Sequence, residues 1–253
     1  MSGEGLADGI RLDRSGAVAT ITLCRSEVLN AQNPAMWARL RDVGRELPGD
    51  VRVVVLRGQG RAFSAGLDLA VATGEFAVMA ELPEGDALAR IARYQQAFSW
   101  LHRPDLISIA VVQGHAIGAG FQLALAADLR ILASDAQLSM AEVTLGLVPD
   151  LAGTKRLVEL VGYARALEIC VTGRRLGAAE AQRLGLATLV VPAAELDQAA
   201  ADLVAAVLAG PRDAVVEIKA LLAGAAGRTH AEQQAAERAA QVRRLRDLAG
   251  RGE

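Results

Sequence analysis

The sequence predicts an α/β domain with a mostly parallel, buried sheet, followed by a helical C-terminal region. Three observations carry this expectation. Short apolar runs alternate with segments of helical periodicity through the first 190 residues. Two of those runs lead into turns built from glycine, alanine and serine. After about residue 190 only helical periodicity remains, cut by Gly210-Pro211 and by the glycines at 224 and 227. The expected organisation is a core over 1–190 and a helical subdomain over 191–253.

The elements follow in order. Runs 10–13 and 17–23 flank Ser15-Gly16 and read as a hairpin. Asn33-Pro34 opens a helix, because asparagine caps and proline is tolerated in the first turn. Met36, Leu40, Val43 and Leu47 continue it at helical spacing. Run 51–56, bounded by Gly58 and Gly60, is a buried strand. Leu88, Ile91, Phe98 and Leu101 mark one face of a second helix. Run 106–112 is a strand and 121–127 a helix, with further strands at 129–132 and 137–140. Segments 193–208, 212–222 and 229–248 are helices. Trp37 and Trp100 fall on helix faces and are read as core.

Composition excludes several function classes. The chain has 253 residues, 52% of them hydrophobic, which is ample for one large core. Its 27 basic and 29 acidic residues leave a net charge of −2 and form no basic stripe, which argues against a nucleic-acid partner. Arg243, Arg244 and Arg246 read as a solvated helix face. Cys24 and Cys170 are lone thiols, as expected of a reduced, cytoplasmic protein. His102, His115 and His230 are scattered without metal-ligand spacing, so no metal is expected. Met1-Ser2-Gly3-Glu4-Gly5 lacks the basic start and apolar stretch of a secretory leader. Segment 106–127 carries no formal charge and is long enough to span a bilayer. Gln113, His115 and Gln122 interrupt it, and a buried strand, turn and helix account for it better than a membrane span.

The glycine turns are the richest chemical signal. Gly114-His115-Ala116-Ile117-Gly118-Ala119-Gly120-Phe121-Gln122 joins a strand to a helix. Ser64-Ala65-Gly66-Leu67-Asp68 follows the strand at 51–56. Small residues clear the space, and main-chain N–H groups at such turns can reach a ligand oxygen. Two of them converging on one carbonyl would form an oxyanion hole. Nucleotide readings fail on spacing. Phe63 stands where the third glycine after Gly58 and Gly60 would fall, Leu123 does so after Gly118 and Gly120, and no G-x-x-x-x-G-K-[ST] is present. A serine hydrolase would need a G-x-S-x-G elbow, which is absent.

Segment 54–69, Val-Val-Leu-Arg-Gly-Gln-Gly-Arg-Ala-Phe-Ser-Ala-Gly-Leu-Asp-Leu, resembles the first oxyanion segment of the enoyl-CoA hydratase/isomerase (crotonase) family. Segment 114–123 resembles the second. Segment 139–149, Ser-Met-Ala-Glu-Val-Thr-Leu-Gly-Leu-Val-Pro, resembles the family's catalytic-glutamate strand and turn. Leu29-Asn30-Ala31 matches a stretch that lines the CoA site. The resemblance implies a spiral of repeated ββα units with a C-terminal helical trimerisation region. It implies an acyl-CoA thioester as substrate, with coenzyme A entering as part of it and no separate cofactor, and a homotrimer or dimer of trimers. The implied oxyanion donors are the N–H groups of Leu67 and Ala119; Ala119 stands where the family often has glycine. Asn30, Ala31, Ala65, Gly66, Asp68, Leu69 and Gly118 would line the substrate, with Asp68 fixing its turn. Lys219 is either a contact to a CoA phosphate or a surface lysine. His115 is read as packing. Segment 71–86 is expected to cover the acyl pocket.

The acid–base positions set the reaction. In hydratases of the family two glutamates hold one water between them. Their positions here are Gln122 and Glu142, and an amide cannot exchange a proton as a carboxylate does. A lone glutamate suffices to move a proton from C2 to C4 and shift a double bond, as isomerases of the family do. Met140, Val143 and Leu145 are expected to supply the apolar surroundings that raise its pKa. Asp150, eight positions after Glu142, matches a catalytic aspartate of dienoyl-CoA isomerases in the family; the alternative is a helix cap. Three readings follow: an enoyl-CoA isomerase using Glu142, with Gln122 and Asp150 assisting; a hydratase or lyase with Asp150 as second acid; or an acyl-CoA binding protein without catalysis.

Overall fold

The computed structural model describes residues 3–250, with the backbone alone for residues 3–7. Met1-Ser2, part of the leader reading, and the last three residues of the expected subdomain lie outside it. The chain opens with strands β1 (Gly3–Ala7), β2 (Ile10–Ser15) and β3 (Val18–Leu23), and the predicted hairpin forms, Ser15 pairing Val18. Helix α1 (Pro34–Glu46) starts where expected: the Asn33 side chain accepts a 3.0 Å bond from the Met36 N–H, and Pro34 is the first helical residue. Strand β4 (Val53–Gly58) leads to helices α2 (Leu69–Glu81) and α3 (Glu84–Ser99). Then come β5 (Ile107–Val112), β6 (His115–Ile117), α4 (Ala119–Ala126), β7 (Leu129–Ala133) and β8 (Gln137–Ser139). Helices α5 (Gly153–Val161) and α6 (Tyr163–Thr172), strand β9 (Leu176–Gly177), α7 (Ala178–Arg183) and β10 (Leu189–Val191) complete the α/β part. Helices α8 (Leu196–Ala209), α9 (Arg212–Gly224) and α10 (His230–Leu248) follow.

Two sheets result. The larger runs β1-β2-β3-β4-β5-β7-β10, and from β3 onward its neighbours are parallel. The smaller runs β6-β8-β9. Apolar residues occupy both faces of the central strands, so alternate side chains enter different cores. Val54, Leu56, Ala110, Val112 and Leu132 face the main core with α1 and α4 residues. Val53, Val55, Ile109, Val111, Ile131 and Ala133 face Leu196 and Ala200 of α8. Helix α8 thus forms the second covering layer of the sheet.

Two expectations are corrected. Residues 115–117, read as part of one long turn, form β6: Gly114 turns the chain at φ +58°, and His115 and Ile117 then pair with Gln137 and Ser139. Leu88 does not share the buried face of its helix; it is 60% exposed, and only the C-terminal half of α3 reaches the core, through Ala97 and Phe98. Segment 71–86 lies mostly in α2, whose single buried residue is Ala72 and whose Glu75 carboxylate accepts from Arg90 Nη2 at 2.7 Å and the Tyr94 hydroxyl at 3.0 Å. Trp37 is core, its ring 4.9 Å from that of Tyr94. Among the described residues no helix is long and apolar enough to cross a membrane.

Lys219 does not lie free on the surface: its side chain is only 10% exposed. Its amine donates to the Arg103 and Leu106 carbonyls at 2.7 and 2.8 Å and to Asp128 Oδ2 at 2.7 Å. Asp128 Oδ2 also accepts from the Ser108 N–H and hydroxyl. The cluster ties α9 to the N-terminal ends of β5 and β7, away from the glycine turns that follow β4 and β6. Removing one partner of such a pair strands the other charge, at about 3–5 kcal/mol. Lys219→Met is therefore expected to lower unfolding stability by about 3 kcal/mol, measured by chemical denaturation. The KM of the folded variant for an acyl-CoA substrate should stay within about twofold of the parent, a difference worth only ~0.4 kcal/mol.

Candidate active site

The two glycine turns meet. Segment 62–64 runs parallel to 113–117: the Phe63 N–H donates to the Gln113 carbonyl at 2.9 Å, Ser64 N–H to His115 O at 2.8 Å, and Ile117 N–H to Ser64 O at 3.0 Å. Ser64 is buried, and its hydroxyl donates to Asn30 O at 2.8 Å while receiving Gln32 Nε2 at 3.0 Å and the Gly66 N–H at 3.2 Å. Gln32 Oε1 in turn accepts the Trp37 indole N–H at 2.8 Å. Two glycines permit this approach. A Cβ on Gly66, at φ +92°, would collide with the Ile117 carbonyl, and one on Gly120 would lie 2.6 Å from the Ser64 carbonyl.

The pairing leaves two donors over. The Gln32 N–H goes to Gly66 O at 2.6 Å and the Asp68 N–H to Gln32 O at 2.8 Å, so the amide between them, Leu67, has no backbone partner among the described residues. Ala119 opens α4, where the first N–H groups of a helix have no intrahelical acceptor. The turns are adjacent: the Cβ position of Gly66 is 3.6 Å from Ala119 N. Asp68 fixes its turn as expected. Its Oδ1 accepts the Ala70 N–H at 3.1 Å as the cap of α2, and its Oδ2 pairs with Arg25 Nη1 at 2.8 Å.

Asn30 and Ala31 serve this framework. Asn30 is fully buried; its amide donates to Gln59 O and Ala62 O at 2.9 and 2.8 Å, and its oxygen accepts the Arg25 N–H at 2.9 Å. The Asn30 side chain is therefore engaged within the protein itself. The Ala31 carbonyl accepts Arg25 Nη1 at 2.7 Å. Ala65 is half-buried beside Gly66, and Leu69 is 58% exposed at the start of α2.

Glu142 opens a 3-10 turn at the end of β8 and is 9% exposed. Its Oε1 accepts Gln122 Nε2 at 2.7 Å, and its Oε2 is buried without a partner among the described residues. Gly118 lies against it: a Cβ there would sit 3.3 Å from Oε1. Burial pushes the Glu142 carboxyl above the ordinary carboxylate range and the Asp150 charge adds to the rise, while its own backbone N–H and Gln122 pull the other way. The expected apolar shell is only partly there. Met140 is buried, but Val143 and Leu145 are 40% and 48% exposed. The turn carries them outward, and α4, through Gly118 and Gln122, does the burying.

Asp150 is half-buried, and desolvation raises its carboxyl pKa as well. It caps no helix, since α5 begins at Gly153 behind Ala152 with no side-chain cap. Its carbonyl accepts Gln95 Nε2 from α3 at 2.8 Å. Ser64, Gln32 and Gln95 are the functional residues missed in the sequence. Ser64 lies inside the quoted turn, but no local pattern marks Gln32 or Gln95.

Two free backbone amides in adjacent turns, with a buried carboxylate packed against Gly118 next to them, fit a class of site that stabilises a carbonyl oxyanion while a neighbouring proton moves. The comparisons agree with that class. The family model for enoyl-CoA hydratase/isomerase matches residues 13–247. A Thermobifida fusca chain described as "a putative enoyl-CoA hydratase", in complex with acetoacetyl-CoA, superposes with a TM-score of 0.91 at 48% identity, covering 94% of this chain and 95% of that one. A probable enoyl-CoA hydratase of Rhodobacter capsulatus is 37% identical over 212 residues, 83% of this chain and 79% of its own. The mitochondrial Δ(3,5)-Δ(2,4)-dienoyl-CoA isomerase of Dictyostelium discoideum is 30% identical over 191 residues, 72% of this chain and 65% of its own. The chain belongs to the enoyl-CoA hydratase/isomerase, or crotonase, family.

Two outcomes are expected. Gly66→Ala should displace the oxyanion turns and lower kcat by about 10²–10³ in steady-state assays, the size of one lost donor. Glu142→Gln should raise the melting temperature at pH 8. The folded pKa of Glu142 is raised, so the cost of burying its charge is absent at low pH and grows as pH rises through that pKa. The stabilisation by Glu142→Gln should shrink toward zero as the scan is repeated at lower pH.

Proposed function

We propose that the protein is an enoyl-CoA isomerase that moves a double bond by one-base proton transfer. The thioester oxygen accepts from the Leu67 and Ala119 N–H groups. Glu142 Oε2 takes a proton from C2 of a 3-enoyl thioester, and the C–H electron pair passes into the C1–C2 bond as the carbonyl becomes an enolate. Glu142 returns the proton at C4. The C3–C4 double bond becomes C2–C3, the carbonyl reforms, and no water is consumed. Coenzyme A enters only as part of the substrate, and no further cofactor takes part. The raised pKa suits Glu142 to act as base and then acid.

The observation that carries this reading is the direct 2.7 Å bond between Gln122 and Glu142. The partner position of the water-adding pair holds an amide, and that amide touches the carboxylate with no water between. A second reading rests on Asp150, whose charge is felt at Glu142. It would be the second acid, either of a dienoyl isomerase or of a hydratase or lyase. Apolar side chains exposed on the C-terminal helices, Ile218, Leu222 and Leu245, support assembly into a trimer or dimer of trimers.

The test is NMR of 3-enoyl-CoA with the enzyme in deuterated water. Formation of 2-enoyl-CoA with any solvent deuterium confined to C2 and C4, lost by at least about 10²-fold in Glu142→Gln, is the expected result. Net hydration of 2-enoyl-CoA that disappears in Asp150→Asn would support the second reading and overturn the first. Tight acyl-CoA binding with no exchange would reduce the protein to a binder.

A further inference from the structure

We infer that Gln122 is a positioning residue that fixes Glu142 relative to Asp150, acting as an amide strut between the two acids. The inference rests on the isomerase reading and assigns the strut within that site. Gln122 lies on α4 and is 1% exposed. Its Oε1 accepts the Leu151 N–H at 2.9 Å and the Gly153 N–H at 3.3 Å. Two N–H donors can face only the oxygen end of the amide, so the nitrogen end must face Glu142. That end donates to Glu142 Oε1 at 2.7 Å and leaves Oε2 as the unpartnered, buried oxygen.

The other end of the strut governs Asp150. Leu151 N belongs to the peptide that follows Asp150, and the Asp150 carbonyl is held from α3 by Gln95 at 2.8 Å. The acid's backbone is thus gripped from two helices. Ala152 adopts φ +67°, a left-handed conformation uncommon for alanine, in the turn that brings the Leu151 and Gly153 amides together. Gly153 admits the strut, since a Cβ there would lie 2.8 Å from Gln122 Cγ. The titratable groups that face Glu142 are Asp150 and, from α6, Cys170, whose thiol pKa is raised by burial and then by the Glu142 charge.

The test compares wild type, Gln122→Met and Gln122→Glu. Methionine keeps the volume and removes both polar ends. It should lower kcat about 10- to 100-fold, the worth of one charge-assisted hydrogen bond, with KM little changed. The acid limb of the kcat/KM profile should move to higher pH, because a donor that favours the ionised carboxylate is gone. Glutamate keeps the acceptor for Leu151 and Gly153 but sets an oxygen against Glu142 Oε1. The two carboxylates should then share a proton, and the acid limb should move further up. A merely structural role predicts a lower melting temperature with the limb unmoved. An unmoved acid limb and full kcat in Gln122→Met would overturn the inference. If that variant fails to fold, Gln122→Glu decides by the same limb. Wild type that does not isomerise defeats the isomerase reading instead. The strut is then judged by ¹³C NMR titration of the Glu142 carboxyl, which should titrate at higher pH in Gln122→Met and would overturn the strut if unchanged.

Discussion

The parallel pairing of segment 62–64 with 113–117 is the constraint on which the site depends. Backbone hydrogen bonds at 2.9, 2.8 and 3.0 Å bring two turns from different strands side by side. Once they are paired, the Leu67 amide is left without a backbone acceptor among the described residues, next to the Ala119 amide at the open end of α4. The donors belong to the main chain, so their direction is set by the fold and not by a rotamer. Such preorganisation costs little reorganisation when charge develops on a substrate oxygen. Ser64 sits at the centre, bonded to Asn30, Gln32 and Gly66, and through Gln32 it is linked to the Trp37 indole of α1.

Against Gly118, beside these turns, the protein holds a carboxylate under poor solvation. Glu142 keeps one oxygen bonded and one bare. A bare buried oxygen is costly to stability, and under the proposed isomerisation it is the oxygen that would take the carbon-bound proton and return it. Gln122 limits that cost without contributing an acid. Its own oxygen is fully engaged by the 151–153 turn, so the amide cannot rotate away from Glu142.

Much of the fold was legible because it rests on short-range signals. Asn33-Pro34 fixed the start of α1, and the apolar runs marked β4, β5 and β7. The small-residue turns and the turn-capping Asp68 were legible too, while Leu67 and Ala119 were singled out within those turns by the family resemblance alone. The misses share a cause: they depend on partners distant in sequence. Residues 115–117 became a strand only because 137–139 pairs with them. Lys219 had no local signal that Asp128, 91 positions away, would claim its amine. Val143 and Leu145 looked apolar enough to bury Glu142, but a 3-10 turn directs them outward, and no periodicity in four residues reveals that.

The central claim is that one thioester oxygen sits between the amides of Leu67 and Ala119 with its α-carbon facing Glu142. A crystal structure of the protein with acetoacetyl-CoA bound tests it most directly. The account predicts the thioester oxygen within about 2.7–3.1 Å of both nitrogens, and Glu142 Oε2 turned toward C2. A thioester oxygen bound away from either amide, or a C2 that faces away from Glu142, would contradict it.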